Sequence, residues 1–330
     1  MTNECGKPRL RFSSDGVFRM LMMSDIQESA DYDPRSLVSV RKLLDRANPD
    51  FVMLGGDNCC GHLIKNTDDL RRFLDIFAGE IEKRGIPWAH VFGNHDHDSP
   101  CGALEQQKVY ESFPLCLSGH TDGIHGTTNF VLPVCGHSDD RVRFHIWGLD
   151  TNNSVEELDV MVPGGNMYAK ALLPNNKLSV GKWGFLYFDQ LMWYWNTSCL
   201  AEKEHGGKIP GIMCMHIAPH EFTMAAANPE PCVKSGSFGE ALGTYPFNCG
   251  IFAELLQRGD IHTLSCGHTH ENDFEAEYCG IRLCWDACAG YGSYGIDALR
   301  GGRVFEIRED DPWHAETYMI RTSDAVYGRT

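Results

Sequence analysis

Short apolar runs recur along this chain, and five of them stop at an Asp, Asn or His. Phe18–Ser24 is followed by Asp25 and Gln27, and Phe51–Leu54 closes on Gly55-Gly56-Asp57. Pro87–Phe92 closes on Gly93-Asn94-His95-Asp96. Ile209–Met215 runs into His216, and His262–Cys266 into Gly267-His268-Thr269-His270. A continuous apolar run of this length reads as a strand buried on both faces. Between the first three runs, Arg35–Ala47 carries Leu37, Val40, Leu43 and Leu44 at helical spacing. Asp68–Arg84 repeats the pattern with Leu70, Phe73, Leu74, Phe77 and Ile81. That β-α-β-α-β order predicts parallel strands with helices on the faces. In such sheets the loops beyond the strand ends gather into a ligand crevice, so the five polar termini are expected to converge.

Further strands are expected at Arg143–Leu149, Ile281–Asp286, Val304–Arg308 and Glu316–Ile320, and a helix at Phe188–Glu202. Glu309-Asp310-Asp311-Pro312 separates the last two strands as a turn, which suggests an antiparallel hairpin. The stretch from Gly119 to Lys182 is rich in Gly, Asn, Asp and Pro. It is read as an insertion that shapes the substrate site within a single domain spanning residues 1–330.

Composition narrows the function. No apolar run reaches the length of a membrane span, and the first residues, with Glu4, Lys7, Arg9 and Arg11, lack the apolar core of a signal peptide. Fourteen cysteines would suggest disulfides in a small secreted chain. Here there is no CxxC pair, and Cys214, Cys266 and Cys284 sit inside apolar runs, where a thiol behaves as a small hydrophobe. The expected setting is reducing and cytoplasmic, with no membrane partner. A formal charge of −16 argues against binding a nucleic-acid backbone, which needs a basic footprint. It does not exclude a phosphorylated substrate, because a metal site can be positive on an acidic protein.

Carboxylate, amide and imidazole donors without thiolate suit Mn²⁺, Fe²⁺ or Zn²⁺. The order Asp-x-Gln, Gly-Asp, Gly-Asn-His-Asp, a lone His and Gly-His-x-His, running from Asp25 to His270, is similar to the calcineurin-like metallophosphoesterase family. Gly267-His268-Thr269-His270-Glu271-Asn272-Asp273-Phe274 and Gly290-Tyr291-Gly292-Ser293-Tyr294-Gly295 further resemble one branch. That branch holds the dose-dependent cell-cycle regulator phosphatases and plant purple-acid-phosphatase-like proteins.

The resemblance implies an α/β fold, a sandwich of two mixed sheets flanked by helices in four layers (α/β/β/α), with two divalent metal ions at the strand ends. Asp25, Gln27 and His270 would hold one ion, Asp57 would bridge, and Asn94, His216 and His268 would complete the second site. His95 would act as general acid, with Asp96 a candidate to orient it. The implied reaction is hydrolysis of a phosphate ester by a metal-held hydroxide, on a phosphorylated small molecule or a phosphoprotein. Specificity is expected in the 119–182 stretch and the Tyr291–Tyr294 loop.

Two departures from the family pattern matter. Gln27 stands where His is more common; a neutral amide is a weaker donor, which favours Mn²⁺ and resembles members that cleave diesters or pyrophosphates. Cys60 stands where true purple acid phosphatases place a metal-binding Tyr, so no tyrosinate colour is expected. A non-catalytic scaffold is a further alternative, although scaffolds of this fold tend to lose the Asn-His pair that Asn94 and His95 retain.

Several residues have plainer readings. Asp25 alone could cap a helix. His97, Asp98 and His220 could touch substrate or be solvated, Cys59 and Cys60 are expected to be packing residues, and Trp183 core. Gly290-Tyr291-Gly292-Ser293-Tyr294-Gly295 matches GxGxxG, yet Gly301-Gly302 follows too soon for the helix a dinucleotide site needs.

Overall fold

In the computed structural model, which describes residues 6–154 and 183–323, the apolar runs are strands of two facing sheets. In chain order they are β1 Leu10–Arg11, β2 Val17–Met23, β3 Phe51–Leu54, β4 Trp88–His90, β5 Phe130–Cys135, β6 Val142–Gly148 and β7 Gly211–Cys214. Then come β8 Val233–Phe238, β9 Ile261–Cys266, β10 Asn272–Tyr278, β11 Ile281–Trp285, β12 Gly301–Arg308 and β13 Asp311–Arg321. One sheet has five strands in the order β13-β12-β2-β3-β4, the other eight in the order β1-β5-β6-β7-β9-β11-β10-β8. β2, β3 and β4 are parallel, as are β6, β7, β9 and β11; antiparallel strands flank both sets, so each sheet is mixed.

Strand alternation sorts the core into layers. On β2, Met20 and Met22 join Phe51, Met53, Ile146, Ile212 and Cys214 between the sheets. Leu21 and Met23 face the other way, toward apolar side chains of α1 (Pro34–Ala47) and α2 (Thr67–Glu82), with α3 (Ala103–Glu111) completing that layer. Across the molecule, Trp147, Met213, Leu264 and Trp285 pack under α4 (Phe188–His205), α5 (Glu221–Ala227) and α7 (Ile251–Arg258); a short α6 (Pro229–Cys232) joins α5 to β8. The result is the expected α/β/β/α sandwich. Cys214, Cys266 and Cys284 are buried free thiols within it. Among the described residues no helix is long and apolar enough to cross a membrane.

The expected hairpin forms, with β12 and β13 antiparallel and Arg308 opposite Asp311. Within the 119–182 stretch, residues 130–148 supply β5 and β6 of the larger sheet, β6 being the strand expected at Arg143–Leu149. Residues 155–182 lie outside the described residues. The chain pattern also missed β8, whose Val-Lys-Ser-Gly-Ser-Phe sequence has no apolar run. As the exposed edge of its sheet, β8 needs none. Helix α1 begins with Asp33 accepting from the Arg35 N–H and Pro34 in its first turn, so the helix cap is Asp33 and not Asp25.

Candidate metal centre

The site lies where β2, β3 and β4 of one sheet and β7 and β9 of the other end together. Asp25, Gln27, Asp57 and His268 all have positive φ, at 56°, 44°, 48° and 88°. Non-glycine residues pay roughly 1–3 kcal/mol for sparsely populated backbone conformations, which persist where the surroundings over-determine them. Here the Asp25 N–H donates to Gly56 O and the Gln27 N–H to Asp57 O, both at 3.0 Å, so the two loops hold each other. Two motif glycines have a steric reason. A Cβ at Gly93 would overlap Asp57 Oδ1 and its backbone N, and one at Gly267 would overlap Ser24 Oγ and Asp25 Oδ2.

Asp57 is shared by two clusters of ligand atoms, Asp57-His216-His268 and Asp25-Asp57-His270, each gathered within 4.8 Å. His216 Nε2 is 3.2 Å from Asp57 Oδ2, and His270 Nε2 is 3.2 Å from Asp25 Oδ1. The Gln27 amide donates to Asp57 Oδ2 at 3.0 Å. Asp57 Oδ1 accepts the His95 backbone N–H at 2.7 Å, and Asp25 Oδ2 accepts the His268 N–H at 3.1 Å. Asn94, between Gly93 and His95, is buried beside this group.

The donor atoms fit metal ions better than they fit each other. Gln27 Oε1, Asn94 Oδ1 and both ring nitrogens of His268 are buried with no hydrogen-bond partner among the described residues; Asp25 Oδ1 and His216 Nε2 lie near opposite charges but outside hydrogen-bond geometry. Leaving buried polar groups unsatisfied is costly, and a cation is the partner common to carboxylate, amide and imidazole. The outer ring nitrogens are already engaged: His216 Nδ1 lies 2.9 Å from Gly55 O and His270 Nδ1 2.8 Å from Tyr294 O. Those carbonyls place the proton on Nδ1 and turn Nε2 inward, as metal-binding histidines require.

Electrostatics agree. Burial would raise both carboxyl groups, but His216 and, for Asp25, His270 outweigh it, and each is held below its ordinary range. Burial alone would lower His216, yet Asp57 and Asp25 push it up to about 10; burial and the neighbouring His216 charge drive His268 down to about 3 despite the same carboxylates. A proton on His216 thus balances the carboxylates where a cation could, and Asp25 shifts His270 in the same direction.

His95 is half-exposed at the mouth, and Nδ1 of its ring lies 2.6 Å from Asp98 Oδ2. The carboxylate that orients His95 is therefore Asp98 rather than Asp96. Asp96 is buried and accepts the N–H groups of Gly93, Asn58 and Cys59 at 2.8–3.0 Å, tying the Gly-Asp-Asn turn to the Gly-Asn-His turn. Burial and then the Asp57 charge push it up to about 6. A one-turn helix at Asp96–Asp98 explains the switch, since it brings residue 98 back beside residue 95. Of the other neighbours, His97 turns toward buried Asp150, 3.9 Å away, and His220 stands at the start of α5 without a side-chain capping bond. Trp183, partly buried, packs against the core under the larger sheet and also stands edge-on to His268, with ring centroids 4.4 Å apart. The Tyr294 carbonyl and ring, both against His270, carried no local signal beyond lying in a glycine-rich loop.

The family model for calcineurin-like phosphoesterases matches residues 18–272. A protein of Arabidopsis thaliana named probable inactive purple acid phosphatase 14 is 30% identical over 92% of this chain and 78% of its own length. Phosphatase DCR2 of Saccharomyces cerevisiae is 24% identical over 93% of this chain and 54% of its own. A solved dimetal phosphatase from Danio rerio covers 92% of this chain and 98% of its own at 15% identity with a TM-score of 0.56, a likeness of fold. With the match spanning every strand end that carries a candidate ligand, this chain belongs to the calcineurin-like phosphoesterase family.

Proposed function

We propose that this chain is a catalytically competent phosphoester hydrolase that works with two divalent metal ions, Mn²⁺, Fe²⁺ or Zn²⁺. The observation that carries the reading is the pair of ligand clusters meeting at Asp57. Asp25, Gln27 and His270 would hold one ion and Asn94, His216 and His268 the other, with Asp57 between. When bound, the ions supply positive charge for phosphate oxygens and lower the pKa of water, giving a nucleophile at neutral pH. Against about −2 from Asp25 and Asp57, two dications make the crevice electropositive despite the acidic surface. His95 donates a proton from Nε2 to the leaving oxygen, while Asp98, bonded to Nδ1, stabilises the imidazolium before transfer. Asp96 supports the same loop from below and takes no direct part.

The names of relatives such as probable inactive purple acid phosphatase 14 raise the scaffold alternative, in which metal binds without turnover. Support for turnover comes from His95 and Asn94 together with the Asp98 partner. The test is hydrolysis of p-nitrophenyl phosphate by protein loaded with Mn²⁺, Fe²⁺, Co²⁺ or Zn²⁺ separately. Activity lost in Asp57→Asn, and lowered in His95→Ala most of all on an alkyl phosphate, supports the proposal; full activity in metal-stripped Asp57→Asn protein overturns it, and ordered metal binding with no turnover favours the scaffold.

A second reading, a diesterase or nucleotide pyrophosphatase, is favoured by Gln27, whose neutral amide spans Asp57 and an open donor position. Rates on p-nitrophenyl phosphate and its bis-ester at equal concentration separate the two. The natural substrate belongs to the same proposal as a phosphorylated small molecule or phosphoprotein, and the buried free thiols support a reducing, cytoplasmic setting.

A further inference from the structure

Aromatic side chains frame the two histidines of the Gly-His-Thr-His turn. Trp183 meets His268 edge-on, and Tyr294 lies flat on His270 with ring centroids 4.2 Å apart and planes 9° from parallel. Tyr294 is nonetheless 52% exposed, while His270 stacks on one face of its ring. Holding His270 does not require that ring, because the Tyr294 backbone carbonyl already accepts from His270 Nδ1.

The ring is also held in place. Its hydroxyl donates to Glu240 at 3.0 Å. Three residues earlier, the Tyr291 ring lies between the guanidinium groups of Arg35 and Arg300, at 4.4 and 4.6 Å, and Arg300 donates to Gly290 O and to Ser293 O. The Tyr291 N–H is bonded to Ser36 Oγ at 2.6 Å. An aromatic face fixed this firmly loses little conformational entropy when a ligand stacks on it.

We propose that Tyr294 is a specificity-determining residue whose opposite face stacks on a planar aromatic group, aryl or nucleobase, carried by the leaving alcohol of the phosphate ester. The proposal rests on the phosphoesterase reading and deepens it. Stacking of this kind corresponds to roughly a tenfold preference. It is tested by calorimetric binding to the Mn²⁺-loaded protein of phenylphosphonate, the methylenephosphonate analogue of adenosine 5′-monophosphate, and methylphosphonate. The ratio of phenyl or nucleoside affinity to methyl affinity is expected near 10 in the wild type, retained in Tyr294→Phe and close to 1 in Tyr294→Leu; whichever aromatic ligand shows it identifies the class. Since the backbone carbonyl survives both substitutions, a purely structural role would lower all three affinities together, and that result overturns the proposal. A wild-type ratio near 1 overturns it alone, whereas failure to bind any phosphonate removes the phosphoesterase reading and the proposal with it.

Discussion

The two sheets bring different chemistry to the centre. Every candidate oxygen donor (Asp25, Gln27, Asp57 and Asn94) follows a strand of the five-stranded sheet, and every candidate imidazole ligand (His216, His268 and His270) follows a strand of the eight-stranded sheet. Each ligand cluster therefore spans both sheets. Neither half would suffice: the first would crowd two carboxylates together unneutralised, and the second offers neutral nitrogens with no charge to attract a cation. Three of the four strained ligand residues lie on the oxygen side. The division teaches that the site is a product of sheet packing, with Met22, Met53, Ile212 and Cys214 of the shared core setting the separation of the donors.

The sharpest way to break this arrangement is at its one shared member. Asp57→Asn should reduce turnover on the order of 10³-fold or more, since an aspartate shared by two ions would contribute several kcal/mol of transition-state stabilisation, and metal analysis should show loss of tight binding at the second site. His95→Ala should cost about 10²-fold or more with metal content unchanged, because Asp57 contacts the backbone N–H of residue 95 and not its ring. The loss should be greater for an alkyl phosphate than for p-nitrophenyl phosphate, whose leaving oxygen needs no proton; equal losses would refute the acid role.

The balance of charge between the halves can be probed by pH. Without metal, His216 is pushed up to about 10 by Asp57 and Asp25, so at pH 7 it carries a proton that a cation must displace. Mn²⁺ affinity should weaken by about tenfold per pH unit for each proton displaced as pH falls, with proton release visible in calorimetry across buffers. The stability counterpart follows from the same sign. A group raised on folding stabilises fully below its unfolded value near 6.5 and stops doing so as pH passes its folded value. The melting temperature of chelator-treated protein should therefore fall between pH 6.5 and about 10, and a flat profile would contradict the pairing of His216 with the carboxylates.

Smaller effects refine the picture. Asp98→Asn should lower turnover about tenfold, the worth of a charge-assisted hydrogen bond; Asp96→Asn should instead lower thermal stability, because Asp96 accepts from three backbone N–H groups. Gln27→His should tighten the first metal site and raise the ratio of monoester to bis-ester hydrolysis by a few-fold. No change in that ratio would detach Gln27 from substrate choice.

Much of this was legible in the chain. Parallel strands buried on both faces produce uninterrupted apolar runs, so their ends, and the ligands that follow, stand out. What stayed hidden had a physical reason in each case. β8 is an exposed edge strand with a polar sequence. Asp96 and Asp98 are both carboxylates near His95, and only the one-turn helix decides between them. The Tyr294 carbonyl is a backbone group, which every residue possesses, so no side-chain pattern could announce that it meets His270.

The amino-acid order alone determined which residues are candidate ligands, their succession along the chain and the small residues beside them, because strand periodicity and steric exclusion are local properties. Tertiary structure decided which donors face one another and that Asp57 belongs to both clusters. His216 and Asp57 are far apart in the chain, and only the packing of two separately built sheets brings their atoms to 3.2 Å.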